Sequence, residues 1–129
     1  SASTIIMNSI CPKGWKLPST DITDNGHNEF GRLLYEYNIT NGIAGSGDVG
    51  YKTGGFNAIR VSPLWFVRSG YINGSTLNDS AASGYYWSNT VSGNTGAYSL
   101  LFRRIDIRPT DNYYNDNKKY GFSIRCLAR

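Results

Sequence analysis

The two cysteines, Cys11 and Cys126, constrain this chain most, because they are its only cysteines and lie almost at its opposite ends. A pair of cysteines cannot form a tetrahedral zinc site by itself. A disulfide between them would close a very long loop, which the chain-entropy model values at about 4–5 kcal/mol. It would also indicate an oxidising compartment. Two buried free thiols are the alternative, and the cysteines alone leave both arrangements open.

The composition predicts a single domain, residues 1–129, with one hydrophobic core. A chain of 129 residues buries roughly two thirds of its unfolded surface on folding. It contains 15 Gly and 10 Tyr, and only 17% of its residues are charged, which is typical of short strands joined by polar turns. We therefore expect an α+β fold that is mainly antiparallel sheet.

The net charge of +4 comes from scattered basic residues, with doublets only at 103–104 and 118–119. A nucleic-acid site requires a continuous basic face, so we expect no nucleic-acid partner. No apolar run is long enough to cross a bilayer, and the opening residues do not resemble a signal peptide. The chain is then either intracellular or a fragment of a longer exported protein, attached to a membrane only through an anchor outside this chain.

One amphipathic helix is predicted over residues 26–38. Phe30, Leu33, Leu34 and Tyr37 recur at the spacing that places one apolar stripe along a helix. Asp24 or Asn25 is the predicted N-cap. This is the main helix that the sequence predicts, and it lies in the N-terminal third of the chain.

The second half of the chain predicts strands and loops. Residues 56–61 and 64–72 are predicted to be short strands or extended segments, 73–75 a hairpin turn, and 97–108 a strand with an irregularity near the arginines. The final residues alternate apolar and polar side chains, which predicts a half-buried strand. The Gly-rich stretch 43–55 and the Tyr/Asn/Asp-rich stretch 109–119 are predicted loops.

Catalytic and metal-binding patterns are sparse. His27 is the single histidine, and no nucleophile is identifiable beside it, so we expect a protein that is not an enzyme. Asp106, Asp111 and Asp116 carry oxygens that suit calcium, but their spacing differs from the EF-hand pattern. We predict no cofactor and no metal site, with a hydrolytic enzyme kept as an alternative.

Several motifs, taken in order, carry a family resemblance. The sequence CPKGWKLP occupies residues 11–18, followed by GGFNAI at 54–59, SGY at 69–71, GYYWSNT at 84–90 and GFSIRC at 121–126. From about residue 10 to its end, the chain resembles the Fibrobacter succinogenes major paralogous domain family. CPKGWKLP and GFSIRC, at the expected ends, are the most specific of these motifs.

The resemblance implies a C-type-lectin-like fold, related also to formylglycine-generating enzymes, in which the N- and C-terminal strands are adjacent. It further implies that Cys11 and Cys126 approach each other and that the chain is one module of an exported bacterial cell-surface protein. The chain lacks the EPN or WND triplet of calcium-dependent lectins and the cysteine pair of formylglycine-generating enzymes. The resemblance therefore implies neither calcium-dependent carbohydrate binding nor the oxidase activity of formylglycine-generating enzymes.

The same fold group includes hypervariable proteins of diversity-generating retroelements. Their mutagenesis produces Asn, Tyr, Ser, Asp, Thr and Arg, the residue types that crowd positions 86–119 here. We therefore predict an extracellular ligand-binding module that is open to such diversification. Its expected partner is a protein or a surface glycan, and an adhesive or structural spacer domain is the alternative.

Tyrosine combined with Asn and Ser is also the composition of antibody combining loops. The predicted ligand-binding residues are Asn89, Ser92, Asn94, Tyr98, Arg103, Arg104, Arg108, Asn112, Tyr113, Tyr114, Asn115 and Asn117. Within GYYWSNT, Trp87 and one of the two tyrosines are expected to face inward, and the other tyrosine to face out or reach a polar partner. The predicted structural core comprises Trp15, Leu17, Phe30, Leu33, Leu34, Trp87, Phe122 and Ile124.

Overall fold

The computed structural model describes residues 10–20, 29–36, 52–53, 58–103, 106–111 and 118–129. Its elements are β1 (Trp15–Lys16), α1 (Glu29–Glu36), β2 (Lys52–Thr53), a 3-10 turn (Ala58–Arg60), β3 (Tyr71–Asn73), β4 (Thr76–Asn78), β5 (Gly84–Ser92), β6 (Gly96–Phe102), β7 (Asp106–Asp111) and β8 (Leu127–Ala128). The described part is thus a mixed helix and strand structure with little helix and antiparallel strand pairing. None of its helices is long and apolar enough to cross a membrane.

The main sheet has four strands in the order β2-β7-β6-β5. Strands β5 and β6 form a hairpin in which Gly84 pairs with Phe102 at one end and Ser92 with Gly96 at the other. Strand β3 pairs with β4 around the predicted turn at 73–75, and β1 pairs with β8. The β1–β8 pair thus joins residues 15–16 to residues 127–128 beside the main sheet and the β3–β4 hairpin.

One face of the main sheet forms the hydrophobic core. Tyr86, Leu100 and Phe102 lie on this face because directly opposed residues of paired strands share a face. They pack with other buried side chains, namely Phe30, Ile59, Leu64, Phe66 and Ile107. Burying each large apolar side chain contributes about 1.5–3 kcal/mol, so this cluster is the principal source of stability.

The opposite face carries a second, aromatic cluster. Phe122 lies at its centre, with its ring centroid 4.1 Å from Trp87 and 4.9 Å from Tyr85. Tyr71 contacts Tyr85 at 5.0 Å, and Tyr120 completes the group. Tyr85 and Tyr86 are each 3% exposed, because the sheet is covered on both faces. Neither tyrosine faces out, and each hydroxyl reaches a polar partner, Asp79 for Tyr85 and the Val67 carbonyl oxygen for Tyr86.

Helix α1 lies within the predicted range of 26–38, and the flanking residues 26–28 and 37–38 are outside the described part. The first two backbone N–H groups of the helix are capped by a residue that is distant in sequence. Glu29 N–H donates to the Ser19 hydroxyl at 3.2 Å, and Phe30 N–H donates to the Ser19 carbonyl oxygen at 3.2 Å. The predicted caps, Asp24 and Asn25, are also outside the described residues.

The chain ends are joined covalently and by hydrogen bonds. Cys11 and Cys126 form a disulfide with their Cα atoms 5.8 Å apart, which confirms the pairing that the resemblance implied. Beside it, Trp15 pairs with Ala128 and Lys16 with Leu127. The terminal segments of the described chain are therefore adjacent and antiparallel.

Several predicted strand boundaries are wrong. Residues 58–60 form a 3-10 turn instead of a strand. Residues 65–69 have no regular secondary structure, and Gly70 forms an isolated bridge to Gly84 before β3 begins. The predicted strand 97–108 is divided between β6 and β7, while residues 109–111 and 52–53 are strands rather than loops. The final stretch makes only isolated bridges, at Gly121 and Ser123, before β8. Residues 52–53 are a strand because they pair with β7, which is distant in sequence.

The predicted core set is partly wrong. Phe30 is fully buried, but Trp15 is 46% exposed because it lies in a two-residue strand pair outside the main sheet. A further group is only half-buried: Leu17, Leu33, Trp87, Phe122 and Ile124. The side chain of Leu34 lies outside the described part.

Candidate functional site

The motif SNT at residues 88–90 interrupts the regular pairing of the β5–β6 hairpin. Trp87 pairs with Ser99 and Val91 with Ala97, so three residues of β5 lie opposite one residue of β6. Such an irregularity bends a strand and redirects a side chain. Of the three residues in the motif, Ser88 is buried, Thr90 is half-buried and Asn89 is exposed.

Hydroxyl groups hold this irregularity in place. The Ser88 hydroxyl donates to the Tyr98 carbonyl oxygen at 2.6 Å and accepts from Thr90 N–H at 3.1 Å. The Thr90 hydroxyl accepts from Thr20 N–H at 3.0 Å. Ser88 and Thr90 are therefore structural, and Asn89 is the residue of this motif that is presented to solvent.

The backbone around Asn89 is also fixed from outside the hairpin. Asn89 N–H donates to the Pro18 carbonyl oxygen at 3.0 Å, so the geometry of the strand at this point depends on the N-terminal CPKGWKLP segment. Because this backbone hydrogen bond is satisfied, the main chain that carries the exposed side chain of Asn89 is held in position.

Three predicted ligand-binding residues lie on this hairpin. Asn89 is exposed on β5, Asn94 is exposed in the turn, and Tyr98 is half-buried on β6. Gly93 allows the turn by adopting a φ of 66°. We call Asn89, Asn94 and Tyr98 the hairpin surface. The side chain of Ser92 lies outside the described part.

Two described residues on either side of 112–117 contact the same hairpin. Asp111 pairs with Ser99 of β6, and Lys118 N–H donates to the Thr95 carbonyl oxygen at 2.9 Å. Lys118 and its neighbour Lys119 are exposed, which adds positive charge near the turn. The predicted ligand residues between them lie outside the described part: Asn112, Tyr113, Tyr114, Asn115 and Asn117.

Arg103 and Arg108, the two predicted arginines that the structure describes, do not join the hairpin surface. Arg103 follows the end of β6 that is farthest from the turn, roughly 20 Å away along the strand. Arg108 pairs with Leu101, also near that end, and both arginines are half-buried. Arg104 lies outside the described residues. The prediction grouped the arginines with the hairpin residues because of their residue types, whereas the length of β6 separates Arg103 and Arg108 from the turn.

A cleft lies on the core side of the molecule, where helix α1 meets the C-terminal segment. It has a volume of about 220 Å³. Its walls are mostly apolar and are formed by Pro18, Glu29, Phe30, Leu33, Leu64, Phe66 and residues 125–127. The guanidinium carbon of Arg125 lies 4.6 Å from the centroid of the Phe66 ring, so a positive charge borders an apolar space.

Glu29 supplies the acidic group of this cleft. One of its carboxylate oxygens pairs with Lys16 Nζ, and the other accepts from Ser19 N–H at 2.8 Å. Burial raises the pKa of Glu29, but the hydrogen bonds from Lys16 and Ser19 and the charge of Lys16 outweigh it, so the pKa lies below its usual value. Glu29 is therefore ionised and already neutralised by a partner.

The sequence prediction missed Arg125 and Trp65. Arg125 stands in the GFSIRC motif, but its contact with Phe66 is not visible in the sequence. Trp65 is 63% exposed and has a φ of 52°, a left-handed conformation that costs a non-glycine residue roughly 1–2 kcal/mol. Its neighbours Leu64 and Phe66 are buried, which fixes the loop and leaves the indole at the surface.

Within the described ranges, no group of three or more His, Cys, Asp or Glu side chains could hold a metal ion. His27, the base of the alternative enzymatic interpretation, lies outside those ranges, as do Asp116 and the side chains of Asp106 and Asp111. No model of a protein family, no curated protein and no solved structure matches this chain. The family resemblance therefore remains a prediction.

Proposed function

We propose that this chain is a non-catalytic, extracellular ligand-binding module whose hairpin surface contacts the ligand. The SNT motif carries this proposal. The hydroxyl groups of Ser88 and Thr90 form hydrogen bonds to backbone groups of the fold. Asn89, between them, is exposed, and its backbone N–H donates to the Pro18 carbonyl oxygen. The positions that hold the strand are thus separate from the position that faces solvent, as a display surface requires.

The scaffold under this surface is rigid. Strand β5 is packed on one face by the core and on the other by the aromatic cluster. The Cys11–Cys126 disulfide and the Pro18 and Thr20 hydrogen bonds tie the N-terminal segment to this framework. Preorganised contact residues lose little entropy on binding, so a small polar surface is sufficient for a specific ligand.

The residue types indicate the chemistry of recognition. Asn89 and Asn94 each carry two donors and an acceptor in a planar amide, and Tyr98 adds an aromatic ring with a hydroxyl group. This combination suits hydrogen bonding and ring stacking against a surface glycan or the polar rim of a protein. We therefore propose a protein or glycan ligand, recognised on a C-type-lectin-like fold without calcium.

The cellular location is part of the proposal. A structural disulfide is typical of proteins that fold in an oxidising environment. The Cys11–Cys126 bond thus supports an exported module, and the motif resemblance makes the bacterial cell surface the proposed location. Retroelement diversification of the hairpin and of residues 112–117 is proposed with it. Sequences of related loci that vary at these positions, near a template repeat, would support it, whereas invariant loci would contradict it.

The binding proposal is tested with a fluorescently labelled chain on glycan and bacterial-surface protein arrays. The test variant combines Asn89→Ala, Asn94→Ala and Tyr98→Ala. A matched control combines Asn73→Ala, Ser75→Ala and Thr76→Ala on the exposed β3–β4 hairpin. We expect the test variant to lose at least tenfold in affinity for the array ligand and the control to retain it.

Tyr98 is half-buried, so the pair Asn89→Ala and Asn94→Ala without Tyr98→Ala serves as a second test variant. Melting curves that coincide with the unmodified chain establish that each variant is folded. Equal binding by test and control variants, or no retention of the unmodified chain on any array, would contradict the proposal. That result would favour a structural or adhesive spacer domain.

A further inference from the structure

The cleft beside helix α1 is a second candidate site, separate from the hairpin surface. Its walls combine apolar side chains from three parts of the chain, including Leu33, Leu64 and Leu127. Its volume of about 220 Å³ is below the 300–1,000 Å³ typical of drug-sized ligand pockets. A ligand that fits is therefore small, about the size of one substituted ring or a short branched chain.

The charges at the cleft are not balanced. The carboxylate of Glu29 is neutralised by Lys16 and by Ser19 N–H. The guanidinium of Arg125 lies over Phe66, and within the described part of the chain no carboxylate forms an ion pair with it. These groups together leave one positive charge at the edge of an apolar space.

The position of Arg125 suits recognition of an anion. The N–H groups of a guanidinium point outward in its own plane, so packing against a ring face leaves the donors unused. Contact with Phe66 also restricts the side chain before any ligand arrives. A planar carboxylate is the group that the guanidinium fork matches with two parallel hydrogen bonds.

We propose that this cleft binds a small apolar carboxylic acid in its ionised form. The carboxylate pairs with Arg125, and the apolar body lies among Phe30, Leu33 and Leu127. The apolar walls select against strongly hydrated anions such as inorganic phosphate, whose desolvation a single arginine does not offset. This site goes beyond the proposed function, because none of the hairpin-surface residues lines the cleft.

The test uses 4-methylbenzoate as the probe and 4-methylbenzamide as its neutral isostere. Amide chemical shifts of the ¹⁵N-labelled protein are followed during titration at constant ionic strength. A ligand of this size is expected to bind with Kd on the order of 1 mM. We expect the benzoate to shift the amides of Leu33, Phe66 and Leu127, and the benzamide to bind about tenfold or more weakly.

Charge variants isolate the role of Arg125. Arg125→Gln removes the charge but keeps part of the stem over Phe66, and it should raise the Kd for the benzoate roughly tenfold or more. Arg125→Lys keeps the charge without the fork and should give an intermediate Kd. Arg129→Gln removes a charge from the same exposed C-terminal segment and should leave the Kd unchanged.

A cleft-filling variant, Leu127→Trp, keeps the test decisive if Arg125→Gln does not fold. It leaves Arg125 intact and should abolish the shifts caused by the benzoate. The proposal is overturned if benzoate and benzamide bind equally. It is also overturned if the shifts lie away from the cleft, or if folded Arg125→Gln or Leu127→Trp protein binds the benzoate with unchanged affinity.

Discussion

The hydroxyl of Tyr86 makes two hydrogen bonds to the backbone of one residue, Val67. It accepts from Val67 N–H at 2.9 Å and donates to the Val67 carbonyl oxygen at 3.1 Å. The ring of Tyr86 lies in the core, 4.7 Å from the ring of Phe66. A single side chain of the GYYWSNT motif thereby satisfies both backbone groups of Val67 in the irregular segment that precedes β3.

Replacing Tyr86 with Phe should destabilise the protein by about 1–3 kcal/mol. The change retains the ring but leaves the N–H and carbonyl groups of Val67 without their partner. Equilibrium urea unfolding measures the loss. Tyr85→Phe is the matched control, because the Tyr85 hydroxyl donates to the exposed Asp79 at 3.2 Å and that carboxylate is readily rehydrated. Equal losses for the two variants would contradict this account.

Removing the disulfide should destabilise the protein by about 2–5 kcal/mol. Cys11 and Cys126 are 115 residues apart in sequence, and cross-links that close long loops restrict the unfolded chain most. The measurement is the urea midpoint of a Cys11→Ser and Cys126→Ser double variant, with the reduced wild-type protein as a second sample. An unchanged midpoint in both samples would show that the cross-link contributes nothing to stability.

Gly70 should tolerate no side chain. Its φ is 72°, and a Cβ atom there would collide with the Asn78 carbonyl oxygen and lie 2.8 Å from Ser80 N. These are backbone atoms that cannot swing aside, so Gly70→Ala should cost about 2–5 kcal/mol.

Gly74 is the matched control for Gly70. Its φ of 64° is similar, but no atom lies within 4 Å of an added Cβ. Gly74→Ala should therefore cost only the backbone strain, about 1–2 kcal/mol. Thermal unfolding of the two variants measures the difference, and a Gly74→Ala loss as large as that of Gly70→Ala would refute the proposed collision.

The ion pair of Glu29 should make stability depend on acid pH. Because the folded-state pKa of Glu29 lies below its usual value, its contribution is present above the unfolded pKa of about 4.5. That contribution is lost as the pH falls through the folded pKa. The free energy of unfolding of the wild-type protein should thus fall more steeply below pH 5 than that of Glu29→Gln.

Lys16→Gln tests the origin of this pH dependence. It removes the charged partner but leaves the Ser19 N–H bond to the carboxylate, so the acid-dependent loss should be smaller than in the wild type but still present. Parallel unfolding curves of all three proteins between pH 6 and pH 3 would exclude Glu29 as a source of the pH dependence.

The sequence predicted those parts of the fold that local patterns determine. The apolar stripe through Phe30 marked the helix, the Asn-Gly pair at 73–74 marked the β3–β4 turn, and the end motifs implied the disulfide. These signals depend on neighbours in sequence or on a family pattern. The distant cap that Ser19 provides for α1 has no such signal, because the donor and acceptor are ten residues apart.

Burial was harder to predict than secondary structure. Alternation along β5 separates Tyr85 from Tyr86, but it does not reveal that residues 120–122 cover the second face of the sheet. Trp15 is apolar, yet its strand lies outside the main sheet. For the candidate site, three of the predicted residues, Asn89, Asn94 and Tyr98, lie on the β5–β6 hairpin. The composition could not show that Arg103 and Arg108 lie near the end of β6 that is farthest from the turn.

The central claim is that the hairpin surface contacts the ligand while Ser88 and Thr90 maintain the strand. The most direct measurement is amide chemical-shift mapping of the ¹⁵N-labelled chain with the glycan or protein fragment retained on the arrays. The account predicts that the largest shifts fall on Asn89, Asn94 and Tyr98 and that the amides of β1 and β8 do not move. Shifts concentrated on β1, β8 or the β3–β4 hairpin, with Asn89 and Asn94 unaffected, would contradict it.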